Sequence, residues 1–225
     1  MENFEVVKNL YNEKKSILDK HLEQLHNIIV NSKCQLEGNS FYFHLTTHKC
    51  NEFYNKQVNL FWVGNYKPIC KRICEIGFNA GHSTLLMLLN RDDTPLEYTV
   101  FDLGEHAYVK PALEYIKNTY QHVSFEYNEG DSIKTLPAWI EKNSNLCGEY
   151  DIVHVDGGHT EECIKNDLKN AVKLCKVGGI IIIDDTNDGI INNYVDRYLS
   201  TGDFFEITSI LETYISKHRM IKKTR

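Results

Sequence analysis

Acidic residues stand where several predicted strands of this chain end. Asp156 follows the apolar segment 151–155, and the pair Asp184 and Asp185 follows the apolar run 180–183. Because neighbouring parallel strands end at one edge of a sheet, we expect these carboxylates to lie within a few ångströms of one another. Carboxylates that close raise each other's pKa unless a cation compensates them, and Mg²⁺ prefers carboxylate oxygens. The spacing therefore predicts a magnesium site on Asp156, Asp184 and Asp185; the alternative is that Asp184 pairs with a lysine and Asp185 caps the following turn.

A histidine lies close to this predicted metal site in the sequence. His159 is three residues beyond Asp156, just before the helix predicted for residues 161–175. Imidazole titrates near neutral pH, so a histidine beside a reacting hydroxyl can take its proton as a general base. The alternative is a polar side chain that only finds a hydrogen-bond partner. We predict that His159 is the catalytic base and that Asp156 takes part in catalysis beside it.

The segment Cys-Glu-Ile-Gly-Phe-Asn-Ala-Gly-His-Ser at 74–83 has the pattern of a strand end, a glycine-rich turn and a helix start. Its two glycines let the backbone turn sharply and approach a ligand closely. The unpaired N–H groups at the start of the helix then point at that ligand. Dinucleotide-binding turns read G-x-G-x-x-G, whereas this turn reads E-x-G-x-N-x-G. The pattern predicts a cradle for a different nucleotide-like cofactor, with these candidate contacts: Glu75, Gly77, Asn79, Gly81 and Ser83.

The ends of the next two predicted strands carry groups for the rest of such a cofactor. Asp102 ends one strand, at the place for a carboxylate that accepts hydrogen bonds from both hydroxyls of a ribose. Asp131 and Ser132 follow the next strand and are candidates to bind the amino group of adenine. A single aspartate at a strand end is more often a helix cap or a turn former. Acids at all five consecutive strand ends argue against that alternative, and we expect Asp156 to contact the cofactor as well.

Short apolar segments alternate with amphipathic ones from residue 71 onward, which predicts an α/β fold with a parallel sheet and right-handed helical crossovers. The predicted strands are 72–76, 98–102, 123–127, 151–155 and 180–184, and the predicted helices are 83–90, 111–120, 132–142, 161–175 and 188–199. Two closing strands, 204–211 and 214–221, have no helix between them, so we expect a hairpin in which one strand runs antiparallel.

The N-terminal part of the chain is predicted to be a helical extension. Phe4, Tyr11, Leu18 and Leu25 recur every seven residues, which is typical of one amphipathic helix over residues 4–30. We interpret it as a helix packed on the main domain; the alternatives are a lid over the substrate and a contact that makes a homo-oligomer. Short helices in the aromatic-rich stretch 40–66 are expected to close one side of the pocket. The predicted domains are thus an extension at 1–66 and a catalytic domain at 67–225.

Composition restricts the partners of this chain. A hydrophobic share of 42% and a charged share of 25% are ordinary for a soluble globular domain. The formal net charge of −6 argues against a nucleic acid partner, because phosphate binding needs a basic face. The seven cysteines include no C-x-x-C pair, which favours reduced thiols over a zinc site. We see no signal peptide and no apolar stretch long enough to span a bilayer, and we expect a cytoplasmic protein with no membrane partner.

The glycine turn resembles motif I of the class I S-adenosylmethionine (SAM) methyltransferases, in which the turn faces the methionine half of SAM. Further segments resemble the metal-dependent macrocin O-methyltransferase group, which includes sugar O-methyltransferases of macrolide pathways: Phe-Asp-Leu-Gly at 101–104, Gly-Asp-Ser at 130–132, Val-Asp-Gly-Gly-His-Thr at 155–160 and Ile-Asp-Asp-Thr at 183–186. The resemblance implies a Rossmann-like class I methyltransferase sheet of seven strands with an antiparallel edge strand and helices on both faces. It also implies SAM as the methyl donor, Mg²⁺ on the three aspartates and His159 as the base.

These motifs predict a SAM- and Mg²⁺-dependent O-methyltransferase that acts on a hydroxyl of a sugar or glycoside, so the expected partner is a small-molecule or glycan acceptor. One alternative is a catechol or caffeoyl-CoA type enzyme that methylates phenols, although such enzymes usually end the fifth strand in Asp-Asn and this chain has Asp-Asp. The spacing of the glycine turn disfavours a dehydrogenase, and the net charge disfavours an RNA methyltransferase. A non-catalytic SAM-binding subunit would be expected to lose strand-end acids, which this chain retains.

Overall fold

Seven strands form one sheet in the computed structural model, which describes residues 4–42, 49–65 and 70–225. In chain order the strands are β1 (Arg72–Ile76), β2 (Leu96–Asp102), β3 (Val123–Glu129), β4 (Tyr150–Val155), β5 (Cys175–Ile183), β6 (Phe204–Glu206) and β7 (Arg219–Lys223). Their order across the sheet is β3-β2-β1-β4-β5-β7-β6. Strands β1 to β5 are parallel, and β7 runs antiparallel to both of its neighbours, β5 and β6. The predicted fold class is confirmed.

Helices cover both faces of this sheet. They are α1 (Phe4–Glu13), α2 (Lys15–Ser32), α3 (Tyr54–Asn65), α4 (His82–Leu88), α5 (Val109–Thr119), α6 (Ser132–Lys142), α7 (Glu161–Leu174) and α8 (Gly189–Ser200). The single helix predicted for residues 4–30 is divided in two at Lys14. None of the helices in the described part of the chain combines the length and the hydropathy that crossing a bilayer requires.

Alternation along the central strands divides the core into two apolar clusters. Ile180 and Ile182 of β5 pack in the cluster that contains side chains of α1 to α5, while Ile181 and Ile183 pack in the cluster of α6 to α8. Successive side chains of a strand point to opposite faces, so an unbroken apolar run is the pattern of a strand covered on both sides. Leu18 and Leu25 of α2 belong to the first cluster, so the N-terminal helices share a core with the sheet.

Two predicted elements, the fifth strand and the closing hairpin, differ from the structure by five residues at a boundary. Strand β5 begins at Cys175 instead of residue 180, because Gly178 lies inside the strand at φ +77° and forms an irregularity instead of a turn. In the closing hairpin, β6 ends at Glu206 and β7 begins only at Arg219, so residues 207–218 form a long connection. Phe43 and Tyr66 of the aromatic stretch, and the predicted domain boundary between residues 66 and 67, lie outside the described residues. That division into domains stays a prediction.

Helix α3 is held tightly against the rest of the molecule, and this determines one side of the site. At Gly64 an added Cβ would lie 2.0 Å from the carbonyl oxygen of Met87 in α4, so the two helices touch through backbone. Asn59 donates to the carbonyl of Leu211 and accepts from its N–H, at 2.8 and 2.9 Å. Lys56 and Gln57 are buried on the same helix. Polar side chains of α3 are therefore in fixed positions.

Candidate active site

The glycine turn after β1 is in direct contact with the end of β4. Gly77 has φ +89°, and a Cβ on it would lie 1.9 Å from the carbonyl oxygen of Asp156, so only glycine fits there. The next two residues, Phe78 and Asn79, donate their N–H groups to one carboxylate oxygen of Asp102 at 2.9 and 2.8 Å. The ends of β1, β2 and β4 are thereby joined at one edge of the sheet.

A cavity of about 340 Å³ opens at this edge, a size within the range of small-molecule sites. Many of the predicted site residues line it: Gly77, Asn79, Ser83, Asp102, Asp131, Ser132, Asp156, His159 and Asp185. Residues 37–40 of the N-terminal extension close one side, where the Asn79 amide donates to the carbonyl of Gly38 at 3.0 Å. The sequence predicts this closing role for residues 40–66; within the described residues, the part of the extension that lines the cavity is 37–40.

Two predicted cofactor contacts do not lie on this cavity. Gly81 is not among its lining residues, although its φ of +74° forms the turn. Glu75 is fully buried and accepts hydrogen bonds from the hydroxyls of Ser83, Thr84 and, at 2.9 Å, Tyr98. The structure therefore corrects the expectation for Glu75: its side chain points to the face of the sheet that α4 covers and fastens that helix.

The carboxylates at the ends of β2 and β3 already have backbone partners. The second oxygen of Asp102 accepts from the N–H of Gly104 at 2.8 Å. Asp131 caps α6 by accepting from the N–H of Ile133 at 3.0 Å. An ionised carboxylate has about four acceptor positions, so both side chains keep acceptor capacity towards the cavity. The capping alternative and the cofactor alternative are compatible at these positions.

The predicted metal ligands are brought together only in part. Asp156 and Asp184 lie close together, but the third member of their group is His154, with one potential ligand atom of each residue within 4.8 Å of those of the others. Asp185 is not a member of this group. Burial and the neighbouring Asp184 raise the pKa of Asp156 to about 7, which is the mutual repulsion expected of a carboxylate pair.

A lysine is the cation beside these acids. The Nζ of Lys56 lies 2.7 Å from Oδ2 of Asp184, and both side chains are at most 3% exposed. Burial by itself lowers the pKa of Lys56, but the charges of Asp184 and Asp156 outweigh burial, and the net pKa is raised. Burial raises the pKa of Asp184, and Lys56 and His154 reverse this to hold it far below its usual range. The alternative that Asp184 pairs with a lysine is the arrangement found.

His154 continues this buried charge network into the core. Its Nδ1 lies 3.0 Å from Oε1 of Glu75, and its Nε2 lies 3.7 Å from Oδ2 of Asp184. Burial lowers the pKa of His154, but the two carboxylates outweigh it and raise the pKa to about 10. An imidazole between two carboxylates is stabilised in its protonated form, which has no lone pair for a metal. Mg²⁺ also prefers oxygen ligands to nitrogen. In this arrangement the group of His154, Asp156 and Asp184, with Lys56 bound to it, does not fit Mg²⁺.

His159 stands at the mouth of the cavity with a carboxylate behind it. Its Nε2 lies 3.0 Å from Oδ2 of Asp185, and its side chain is 58% exposed. The hydrogen bond to Asp185 raises the pKa of His159. Asp185 is itself fixed, because Oδ1 accepts from the hydroxyl of Ser216 at 2.7 Å. A histidine oriented by a partly buried acid is the arrangement of a general base.

A family model described as a methyltransferase domain matches residues 74–186, from the end of β1 to just beyond the acid pair. The matched segment is half of the chain. This chain belongs to that methyltransferase family.

Solved structures from three organisms share the fold of this methyltransferase. Cofactor-bound Rv0187 from MTB gives a TM-score of 0.62 at 12% identity, over 91% of this chain and 89% of its own. SAH-bound PaMTH1, a Podospora anserina methyltransferase, gives 0.56 at 16%, over 100% and 98%. The O-methyltransferase TomG from Streptomyces achromogenes, involved in tomaymycin synthesis and solved with SAM, gives 0.54 at 14%, over 74% and 80%. No curated protein matches the chain.

The buried charge network of this methyltransferase site includes two residues that were not predicted from the sequence. His154 had a detectable signal, since it is the one polar residue among Ile152, Val153 and Val155 in a strand that is buried throughout. Lys56 had none, because α3 is buried on nearly all sides and shows no polar face that would identify a functional lysine.

Proposed function

We propose that this methyltransferase transfers a methyl group from SAM to a hydroxyl oxygen of a small-molecule acceptor. The observation that carries the proposal is the pair of His159 and Asp185, 3.0 Å apart at a cavity that the glycine turn also lines. A base beside the donor site suits an acceptor that must lose a proton as it is methylated.

In this proposal, SAM binds to residues that line the cavity. Asp102 binds the ribose hydroxyls, Asp131 and Ser132 bind the adenine amino group, and the turn at Gly77 and Asn79 faces the methionine half. The acceptor capacity left on Asp102 and Asp131 supports this placement. So does the fold, because TomG carries SAM and PaMTH1 carries SAH on the same architecture.

His159 does the proton chemistry. Its Nε2 is engaged by Asp185, which leaves Nδ1 as the ring nitrogen available to the acceptor hydroxyl. When His159 takes the hydroxyl proton, Asp185 stabilises the imidazolium and holds the ring in place. Bound SAM supplies a methyl group already activated by the sulfonium, so the remaining task of the protein is to align acceptor oxygen and methyl carbon.

The test is SAM-dependent methyl transfer measured over a panel of hydroxyl acceptors, with SAM binding measured separately by calorimetry. His159→Gln should lower kcat by about 10²–10⁴-fold and leave the affinity for SAM unchanged. His26→Gln on α2 is the matched control and should leave both values unchanged. Unchanged turnover of the His159 variant would remove the base from the mechanism, and failure of the wild-type protein to bind SAM would remove the donor.

The acceptor class is proposed as a sugar or glycoside hydroxyl, on the resemblance of the segments 155–160 and 183–186 to sugar O-methyltransferases. One observation favours a second candidate, a phenolic acceptor. Tyr214 and Ile215 are exposed and immediately precede Ser216, whose hydroxyl bonds to Asp185, so the chain carries exposed apolar side chains next to a residue that holds this acid. Turnover of a rhamnoside compared with that of a catechol distinguishes the two, and substitution of Tyr214 by Ser should weaken only the phenolic activity.

The Mg²⁺ predicted at Asp156, Asp184 and Asp185 enters no step of this mechanism. Asp185 is engaged with His159 and Ser216, and Asp184 with Lys56. Dependence on a divalent ion therefore stays a prediction of the sequence resemblance, and the arrangement of the side chains argues for a different cation.

A further inference from the structure

The side chain of Lys56 is a buried part of the site and does not lie on the protein surface. It is 3% exposed, and its Nζ lies 2.7 Å from Asp184 Oδ2 and donates to the hydroxyl of Ser216 at 3.0 Å. Its helix neighbour Gln57 is bonded to Tyr11 and to the backbone of Ser40, at 2.7 and 2.6 Å. These bonds fix the helix next to the lysine, and withdrawal of the ammonium would break its own buried contacts with Asp184 and Ser216.

The ammonium and a divalent ion compete for the same oxygen. A Mg²⁺ ion bound to Asp184 would lie about 2.0–2.1 Å from a carboxylate oxygen. The Lys56 ammonium already lies 2.7 Å from Oδ2, and two cations on one carboxylate in a buried site repel each other strongly. The second acid of the pair, Asp185, has φ +50° and bonds through both oxygens to His159 and Ser216. Of the three carboxylates predicted as ligands, Asp184 and Asp185 are therefore already engaged by other side chains.

We propose that the ammonium of Lys56 is the resident cation of the acidic cluster and takes the place of a divalent ion, so that methyl transfer by this protein is metal-independent. That Lys56 is the resident cation concerns the acidic cluster alone. That methyl transfer is metal-independent rests on the proposed function.

Lys56 also acts on the base at a distance, as a positioning residue. A chain of hydrogen bonds leads from its Nζ to Ser216 Oγ at 3.0 Å, from Ser216 to Asp185 at 2.7 Å, and from Asp185 to His159 at 3.0 Å. The donors and acceptors are consistent along this chain. The Lys56 ammonium donates to the Ser216 hydroxyl, the hydroxyl donates to the Asp185 carboxylate, and the carboxylate accepts from the N–H of His159. Lys56 thus holds the acid that holds the base.

The cation also defines the acceptor. An ion that chelates two adjacent oxygens selects vicinal diols, because it lowers the pKa of one while it binds the other. A buried ammonium with its donors directed at Asp184 and Ser216 offers no such chelation. Within the proposed function, an isolated hydroxyl is therefore a sufficient acceptor, and deprotonation depends on His159.

The first test is divalent ion binding, measured without any turnover. Wild-type protein, stripped with EDTA and dialysed, is titrated with Mn²⁺ by calorimetry and by the electron paramagnetic resonance signal of the free ion. We expect no site tighter than about 1 mM, the weak end of the range for protein cation sites. A Mn²⁺ site of micromolar affinity that Asp184→Asn abolishes would overturn the proposal.

The second test removes the ammonium. Lys56→Met keeps the length and apolar stem of the side chain, and should create a Mn²⁺ site at least about 100-fold tighter than that of the wild-type protein by the same titration. Lys117→Met is the matched control, because Lys117 forms an exposed pair with Glu114 at 3.1 Å and should gain no site. Equal Mn²⁺ affinity of wild type and Lys56→Met would overturn the proposal; if the variant does not fold, the wild-type titration still decides.

The third test is turnover. Wild-type kcat should be the same in EDTA and in Mg²⁺, and loss of activity in EDTA that Mg²⁺ restores would overturn metal independence. Because Lys56 acts through Ser216 and Asp185, Lys56→Met should lower kcat by about 10–100-fold with an unchanged KM for SAM, whereas a general loss of structure would raise that KM as well. If no hydroxyl acceptor is methylated at all, the proposed function fails, while the Mn²⁺ titrations still test the cation.

Discussion

The two halves of the sheet edge stabilise their acidic residues in different ways. At the ends of β2 and β3, Asp102 and Asp131 bond to backbone N–H groups, and Gly104 and Ile133 among those donors are two residues away in the sequence. At the ends of β4 and β5, acids bond to side chains brought from far away: Ser216 is 31 residues from Asp185. The donor half is thus held by backbone N–H groups, and the acceptor half by side chains that the packing of distant elements brings together.

The largest loss of stability is expected where the two halves meet, at the contact of Gly77 with the backbone of Asp156. Gly77→Ala places a Cβ 1.9 Å from the backbone of Asp156 at φ +89°, and should destabilise the fold by about 4–5 kcal/mol in urea unfolding. Gly178→Ala is the control, since Gly178 has φ +77° but an added Cβ there would meet no atom within 4 Å, and it should cost about 1 kcal/mol. Equal effects of the two substitutions would mean that the halves do not meet through backbone.

The acceptor half is tested by breaking its buried ion pair. Asp184→Asn leaves the Lys56 ammonium without its partner and should cost about 3–4 kcal/mol. Asp19→Asn breaks the exposed pair with Lys49, whose Nζ–Oδ1 distance is 2.6 Å, and should cost less than about 1 kcal/mol. The double variant Lys56→Met with Asp184→Asn should be more stable than the sum of the two single changes, and simple additivity would contradict a direct interaction.

The donor half should respond to acid through His82. This side chain lies on the cavity, is 4% exposed and packs on Phe41 and Tyr42; burial lowers its pKa to about 4. Between pH 6.5 and 4 the unfolded chain takes up a proton that the folded chain does not, so this stability is complete above pH 6.5 and is lost on acidification. The loss is on the order of 3 kcal/mol. His82→Phe should reduce the pH dependence of urea unfolding, and an unaltered slope would contradict this.

The smallest effect separates capping from cofactor binding. Asp131→Ala removes the cap of α6 and should cost about 1 kcal/mol of stability. Asp188→Ala removes the matching cap of α8, where the Asp188 side chain accepts from the N–H of Ile190 at 2.7 Å. Asp188 does not line the cavity, and its substitution should cost the same stability. Only Asp131→Ala should also weaken SAM binding in calorimetry. Equal SAM affinity of the two variants would leave Asp131 with a capping role alone.

Most of the fold could be predicted from the sequence, because its signals are local. Strand β1 and helix α6 have the predicted bounds, since apolar runs, turn glycines and a capping aspartate act on nearby backbone. Strand β5 was predicted to begin five residues late. A Gly-Gly pair is typical of a turn, and pairing with Tyr150 across the sheet instead extends the strand through it.

The candidate site was predictable in its donor half and less so in its acceptor half. The turn at Gly77 and the strand-end Asp102 lie on the cavity as expected. Glu75 follows the same motif, but it is buried with Tyr98 and His154, because strand alternation directs it away from the cavity. A one-dimensional pattern does not distinguish an acid at the strand end from an acid one pleat earlier.

By itself, the sequence determined which residues end the strands, which glycines form the turn and which segments are helix or strand. Only the tertiary structure decided which cation faces the acids. Lys56 and Ser216 are 160 residues apart and meet because α3 and the connection after β6 pack against the same sheet edge. The physical reason is that carboxylates leaving water need a compensating charge, and the identity of that charge depends on which distant side chain the packed core delivers.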